Sequence, residues 1–137
     1  MGAGVVVLKK FGNEYKMLCL YKENKKGIRS YDLTKGKIDK GESDYQTATR
    51  ETYEESGVKN LSFEWGNVKL NKDSITMFIA STSDVPKISK NPHSGIYEHD
   101  GFEWNSPDVA YVLLPSFLKP FATWTKKIIK GGNHVKI

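Results

Sequence analysis

The chain has 137 residues, 38 % hydrophobic and 12 % aromatic, with 21 Lys and Arg against 16 Asp and Glu, a formal charge of +5. A domain of this length buries roughly two-thirds of its unfolded surface on folding, so neither general disorder nor a two-domain enzyme is expected. The longest apolar runs, residues 5–8 and 110–114, fall far short of a membrane span of ~20 residues.

The N-terminal Met1-Gly2-Ala3-Gly4 leads straight into valines, without the charged flank and cleavage site of a secretory signal. Val6 stands where a myristoylation signal takes Ser or Thr. β-Branched residues predict strands over 4–9 and 16–21, joined by a Gly12-Asn13-Glu14 turn into a hairpin. Cys19, the only cysteine, allows no internal disulfide and no thiolate cage, which fits a reducing, cytoplasmic setting. Residues 24–27 read as a basic loop, and residues 34–44 have too few apolar positions for a regular element.

A helix is expected from Ser43, which forms a capping box with Gln46, to a left-handed stop at Gly57. Helical spacing puts Tyr45, Ala48, Thr49 and Thr52 on one face and Glu51, Glu54 and Glu55 on another. Strands follow over 61–70 and 75–80, joined by an Asn71-Lys72-Asp73 turn, then a loop over 82–96. Phe102 and Trp104 alternate with Glu103 in a short strand. Ser106 caps a short helix, and residues 116–130 form an amphipathic last helix before a basic tail over 131–137. These elements predict one α+β domain, residues 1–137, around a mixed β-sheet.

The net charge hides a pattern. Residues 1–30 carry +5, residues 31–58 carry −3 and residues 59–137 carry +3. Glutamates at i, i+3 and i+4 repel one another unless something compensates, and a hard divalent cation is the natural counterpart of three such carboxylates. Around them the chain reads Gly36, five residues, Glu42, seven residues, then Arg50-Glu51-Thr52-Tyr53-Glu54-Glu55-Ser56-Gly57-Val58. This resembles the Nudix box, G-x5-E-x7-R-E-U-x-E-E-x-G-U with U a bulky aliphatic, over residues 36–58. All seven fixed positions are present, and only Thr52 departs, at the first U, where its methyl is expected to face the core.

The resemblance implies an α/β/α sandwich flanked by the Nudix helix and a C-terminal helix, and a metal-dependent hydrolase of diphosphates linked to nucleosides. Glu51, Glu54 and Glu55 are the implied ligands of Mg²⁺ or Mn²⁺. Gly36 is expected to turn tightly and present a carbonyl to the metal, Arg50 to orient a carboxylate, and Glu42 to brace loop against helix. Water then attacks a phosphorus, with the cation neutralising charge and lowering the pKa of the water.

Upstream, Tyr31-Asp32-Leu33-Thr34-Lys35-Gly36-Lys37 is similar to the W-x-x-P-K-G-H lead-in of diadenosine tetraphosphate hydrolases, with Tyr31 for Trp, Thr34 for Pro and Lys37 for His. Downstream, Tyr97-Glu98-His99-Asp100-Gly101-Phe102-Glu103-Trp104 is similar to their H-E-H-x-x-Y-x-W stretch, which makes Glu98 a further metal ligand or the general base. Lys35 and Lys37 suit phosphate oxygens. Tyr31, Tyr97 and Phe102 are the candidates for stacking on a base, Trp104 is expected in the core, and His99 is expected to be hydrogen-bonded or solvated rather than a ligand.

Three functions fit. The first is cleavage of diadenosine tetraphosphate into ATP and AMP by a monomer or homodimer. The second is the same chemistry on RNA 5′ ends or diphosphoinositol polyphosphates, which would use the basic stretches at residues 22–29 and 126–130 with Lys87 and Lys90. The third is an inactive Nudix-fold module that binds nucleotide or RNA, against which the complete carboxylate set argues.

Overall fold

The computed structural model describes residues 1–131, so most of the expected basic tail lies outside the described residues. The first strand decides the architecture. β1 (Gly2–Phe11) sends Ala3, Val5 and Val7 into one apolar cluster and Val6 and Leu8 into another, all almost fully buried. A strand apolar on both faces needs cover on both. One cluster is completed by Ala48 of α1 (Asp44–Ser56) and by Val58. The other is completed by Ala110 of α2 (Pro107–Leu113), by Leu118 of a 3₁₀ turn (Ser116–Leu118), and by Phe121 and Ala122 of α3 (Lys119–Gly131). The expected α/β/α layering follows.

The remaining strands are β2 (Glu14–Glu23), β3 (Arg29–Asp32), β4 (Thr34–Lys37), β5 (Lys69–Lys72), β6 (Ile75–Ser81) and β7 (Gly101–Asn105). They form a mixed seven-stranded sheet of order β3-β2-β1-β6-β5, with β4 also on β1 and β7 on β2. β1 and β2 make the expected antiparallel hairpin, turning at Gly12 (φ +61°), and β1 runs parallel to β6.

Several expectations need correction. Residues 34–37 are a strand, because pairing with Gly2–Val5 of β1 uses backbone groups and requires no apolar pattern. β3 and β4 form one segment that pairs with β2 up to Asp32, then passes through buried Leu33 and pairs with β1 from Thr34 onward. Gly4 faces Lys35 there, and a Cβ on it would collide with the Thr34 carbonyl. The expected strand over 61–70 shrinks to Lys69–Lys72 plus one bridge between Ser62 and Ser81, since the chain turns at Gly66 (φ +82°), whose N–H donates to Phe63 O at 2.9 Å. The reversal after β5 falls on Asp73 and Ser74, both left-handed (φ 51° and 66°), one residue later than expected. The last helix is likewise divided, by the 3₁₀ turn.

α1 starts as its capping box dictates. Gln46 N–H donates to Ser43 Oγ at 3.1 Å, Ser43 N–H donates to Gln46 Oε1 at 2.9 Å, and Gly57 closes the helix at φ +74°. Its buried face is Thr47, Ala48, Thr52 and Ser56. Tyr45, expected on that face, lies at its exposed margin with its ring 5.5 Å from Phe63 and 5.7 Å from Phe78.

Thr52 does more than fill a smaller volume. Its hydroxyl donates to Thr34 Oγ1 at 3.3 Å, and the Thr34 hydroxyl donates to Val5 O at 2.8 Å. Thr34 stands where the lead-in has Pro, so two departures from the family pattern contact each other in the interior. Thr34→Val leaves the Thr52 hydroxyl buried without this acceptor and is expected to cost about 1–2 kcal/mol. Adding Thr52→Val should recover part of that loss, a coupling that a double-mutant cycle in urea measures directly.

Candidate active site

Three parts of the fold meet at one acidic pocket. Glu51, Glu54 and Glu55 project from α1, and Glu98 and His99 come from the segment before β7, all five lining the same cavity. β4 passes across the helix beside them. Gly36 sits within that strand opposite Ala3 and makes no tight turn, contrary to expectation. What requires glycine is proximity, because a Cβ on Gly36 would occupy the space of the Glu51 carboxylate.

Arg50 ties the helix to the loop before it. Its Nε and Nη2 donate to the two Glu42 oxygens at 2.8 and 2.9 Å, and Nη1 donates to Glu51 at 2.9 Å and to both Glu54 oxygens at 3.1 Å. Nη2 also lies 3.2 Å from Asp39 and 3.4 Å from the Lys37 carbonyl. Glu42 accepts in addition from Thr47 Oγ1 at 2.8 Å and Asp39 N–H at 3.2 Å. The Arg50 guanidinium, helped by Thr47, holds the Glu42 carboxyl at about 2.

Glu55 lies in the opposite condition. Burial pushes its carboxyl from the ordinary 4.5 up to about 9; the charges of Asp32 and Glu51 add to this and the Lys35 N–H, at 2.9 Å from Oε1, opposes it. Glu51 is also raised, by burial first and then by Glu54 and Glu98, against the pull of Arg50. Glu98 is exposed and accepts from Asn91 Nδ2 at 2.8 Å. One ligand atom each from Glu55, Glu98 and His99 lie within 4.8 Å of one another. Glu51 and Glu55, which burial and neighbouring carboxylates drive toward their neutral forms, share a narrow pocket with Glu54 and Glu98, a donor set that fits a hard divalent cation.

Of the expected phosphate-binding and stacking residues, Lys35 lies at the site: its ammonium is 3.0 Å from Asp32 Oδ1 and 5.8 Å from the Phe117 ring centroid. Lys37 is exposed on the same strand. Tyr31 packs against the core and donates its hydroxyl to Glu103 at 3.1 Å, while Tyr97 is exposed with Lys90 over its ring at 5.8 Å; neither lines the acidic pocket. Phe102 and Trp104 pack against the α1-side cluster, Trp104 as expected.

Asp32 was not singled out by the sequence. Oδ1 accepts from Leu33 N–H at 2.8 Å and Oδ2 lies 3.6 Å from His99 Nε2. Burial alone would raise its carboxyl, but His99, Lys35 and the Leu33 amide prevail and hold it below the ordinary range. The available signal was its position three residues before Lys35, next to the box glycine. His99 is buried against Asp32 rather than solvated.

The sequence matches the NUDIX domain over residues 1–130. It is 28 % identical over 135 residues to mRNA decapping complex subunit 2 of Schizosaccharomyces pombe, covering 86 % of this chain and only 18 % of that protein's length. The fold is similar to a C. elegans Ap4A hydrolase in a binary complex (TM-score 0.74, 20 % identity, 96 % of this chain and 99 % of that one). It is also similar to a NUDIX hydrolase from Listeria monocytogenes (TM-score 0.70, 17 % identity, 96 % and 94 %). No helix among the described residues is long and apolar enough to cross a membrane. With the Nudix box at residues 36–58 and a domain match over residues 1–130, the chain belongs to the NUDIX domain family.

Proposed function

We propose that this domain, residues 1–137, is a metal-dependent pyrophosphohydrolase that cleaves dinucleoside polyphosphates, with diadenosine tetraphosphate giving ATP and AMP. The observation that carries the reading is the convergence of Glu51, Glu54, Glu55 and Glu98 on one pocket beside the Gly36 backbone. These four carboxylates, with the Gly36 carbonyl, would hold Mg²⁺ or Mn²⁺, which when bound neutralises phosphate oxygens and acidifies the attacking water. Lys35 and Lys37 flank the polyphosphate as point charges. Arg50 keeps Glu51 and Glu54 in position, Glu42 anchors Arg50, and Gly57 ends the helix that carries the acids.

Water adds to a phosphorus as the bridging P–O bond breaks, so one proton must be accepted. Glu54 is held on both oxygens by Arg50, whereas Glu98 is held by Asn91 alone, so Glu98 is assigned both a ligand oxygen and, through its other oxygen, the acceptor role, with Glu54 as ligand and electrostatic support. Tyr31 and Tyr97 remain the proposed edges of the nucleoside site. The C. elegans Ap4A hydrolase similarity supports the substrate. A cytoplasmic protein, monomeric or homodimeric, is the setting proposed.

A second reading keeps the chemistry and changes the substrate to an RNA 5′ end. The resemblance to the S. pombe decapping subunit favours it, as do the basic residues that flank the acidic segment.

With Mg²⁺ present, diadenosine tetraphosphate should yield ATP and AMP by chromatography, and two ADP would contradict the assignment. Glu98→Gln should lower kcat about 10²–10⁴-fold with little change in KM. If RNA is the substrate instead, its affinity should fall steeply as salt is raised, and a flat response removes that reading.

The raised Glu55 carboxyl sets a pH dependence. The metal-free fold keeps its proton up to about 9 whereas the unfolded chain releases it near 4.5, so the folded state binds more protons in between. Stability of the metal-free protein therefore falls as pH rises from 4.5 to about 9, and Glu55→Gln should flatten that slope. The cation needs the carboxylate, so Mg²⁺ affinity should rise across the same window with proton release, read by calorimetry in buffers of different ionisation enthalpy.

A further inference from the structure

The four carboxylates leave one donor of the pocket without a task. His99 is 9 % exposed and lies with a ring nitrogen within 4.8 Å of carboxylate oxygens of both Glu55 and Glu98. Its placement is fixed from two sides. Nε2 lies 3.6 Å from Asp32 Oδ2, while Asp32 is itself held by the Lys35 ammonium at 3.0 Å and the Leu33 amide at 2.8 Å. The next residue, Asp100, is locked to β2: its N–H donates to Tyr21 O at 2.8 Å and its Oδ2 accepts from Glu23 N–H at 2.7 Å.

A carboxylate on one ring nitrogen orients a histidine whose other nitrogen binds metal and raises its basicity; with Nε2 turned to Asp32, Nδ1 is the nitrogen left for an ion. An ion with bonds of about 2.1 Å holds trans ligands about 4.2 Å apart and cis ligands about 3 Å apart, so the three side chains reach one ion through shifts of roughly 1 Å or less. We propose that His99 supplies a nitrogen ligand to the cation held by Glu55 and Glu98, with Asp32 as the positioning residue, and that this nitrogen biases the site toward Mn²⁺ over Mg²⁺. Mg²⁺ takes oxygen ligands and gives up its waters reluctantly, whereas Mn²⁺ accepts imidazole more readily. The inference rests on the metal-dependent reading above and assigns the ligand set of that site.

The test uses the metals alone, without substrate. Pulsed EPR of Mn²⁺ bound to the wild-type protein should show ¹⁴N coupling, retained in His93→Asn and lost in His99→Asn. Binding titrations should show Mn²⁺ affinity falling about 10–100-fold in His99→Asn while Mg²⁺ affinity changes less than about threefold. Asp32→Asn should keep the ¹⁴N coupling and lose Mn²⁺ affinity to an intermediate degree. Equal losses for the two ions, as a packing role would give, overturn the inference. So does bound Mn²⁺ without ¹⁴N coupling in the wild type, a result that stands even if His99→Asn fails to fold. Failure of the wild type to bind either ion would instead remove the metal-dependent reading and this inference together.

Discussion

Mutual repulsion among carboxylates is the constraint around which this structure is arranged. Two unit charges 4 Å apart repel by about 4 kcal/mol at an effective dielectric constant of 20, a large share of the stability of an ordinary domain. Four acids share the pocket, and the surrounding architecture supplies partial answers to that cost. Arg50 spreads one guanidinium over Glu42, Glu51 and Glu54. A strand amide reaches Glu55, and burial favours the neutral form of that acid. None of these neutralises the group completely. The residual deficit is what gives the pocket its demand for a cation, so stability and proposed activity draw on the same unbalanced charge.

The sequence revealed the parts of the site whose geometry is local. Glutamates at i, i+3 and i+4 must share a helix face, the Ser43 and Gln46 pair must start that helix, and Gly57 must end it, because a helix has one periodicity. Asp32 and His99 stand sixty-seven positions apart and meet only because β3 and β7 both pair with β2. No spacing in the chain encodes that meeting. β4 was hidden for a different reason: its ladder uses backbone groups of Thr-Lys-Gly-Lys, a run without strand composition, and its partner strand determines its conformation. Residues 61–70 misled in the reverse sense, since apolar side chains there cover the sheet from a turn-containing segment that joins it only at the Ser62 bridge and at the start of β5.

The acidic helix is a poor helix by composition. It carries β-branched Thr47, Thr49 and Thr52 and a crowded carboxylate face, so it depends on its caps and on packing against β1 and β4 more than on intrinsic propensity. The Thr34–Thr52 contact lies at that junction. A polar pair in the interior fixes which turn of the helix faces which residue of the strand, where an aliphatic pair would tolerate sliding. Register between α1 and β4 matters because Gly36 must fall opposite Glu51.

The partner change at Leu33 has a consequence for motion. Binding loops in many proteins open at little cost because few backbone bonds hold them. Here the amide that reaches Glu55 belongs to Lys35, in a strand that lies between β1 and the α1 helix, three residues after the segment leaves β2. That amide belongs to a strand paired along its length with β1, so carrying it away from the pocket means breaking the β1–β4 ladder. One side of the pocket thus keeps the geometry of the sheet core, and the adjustment to different substrates is left to the opposite side, where residues 88–98 carry Glu98 on an exposed loop.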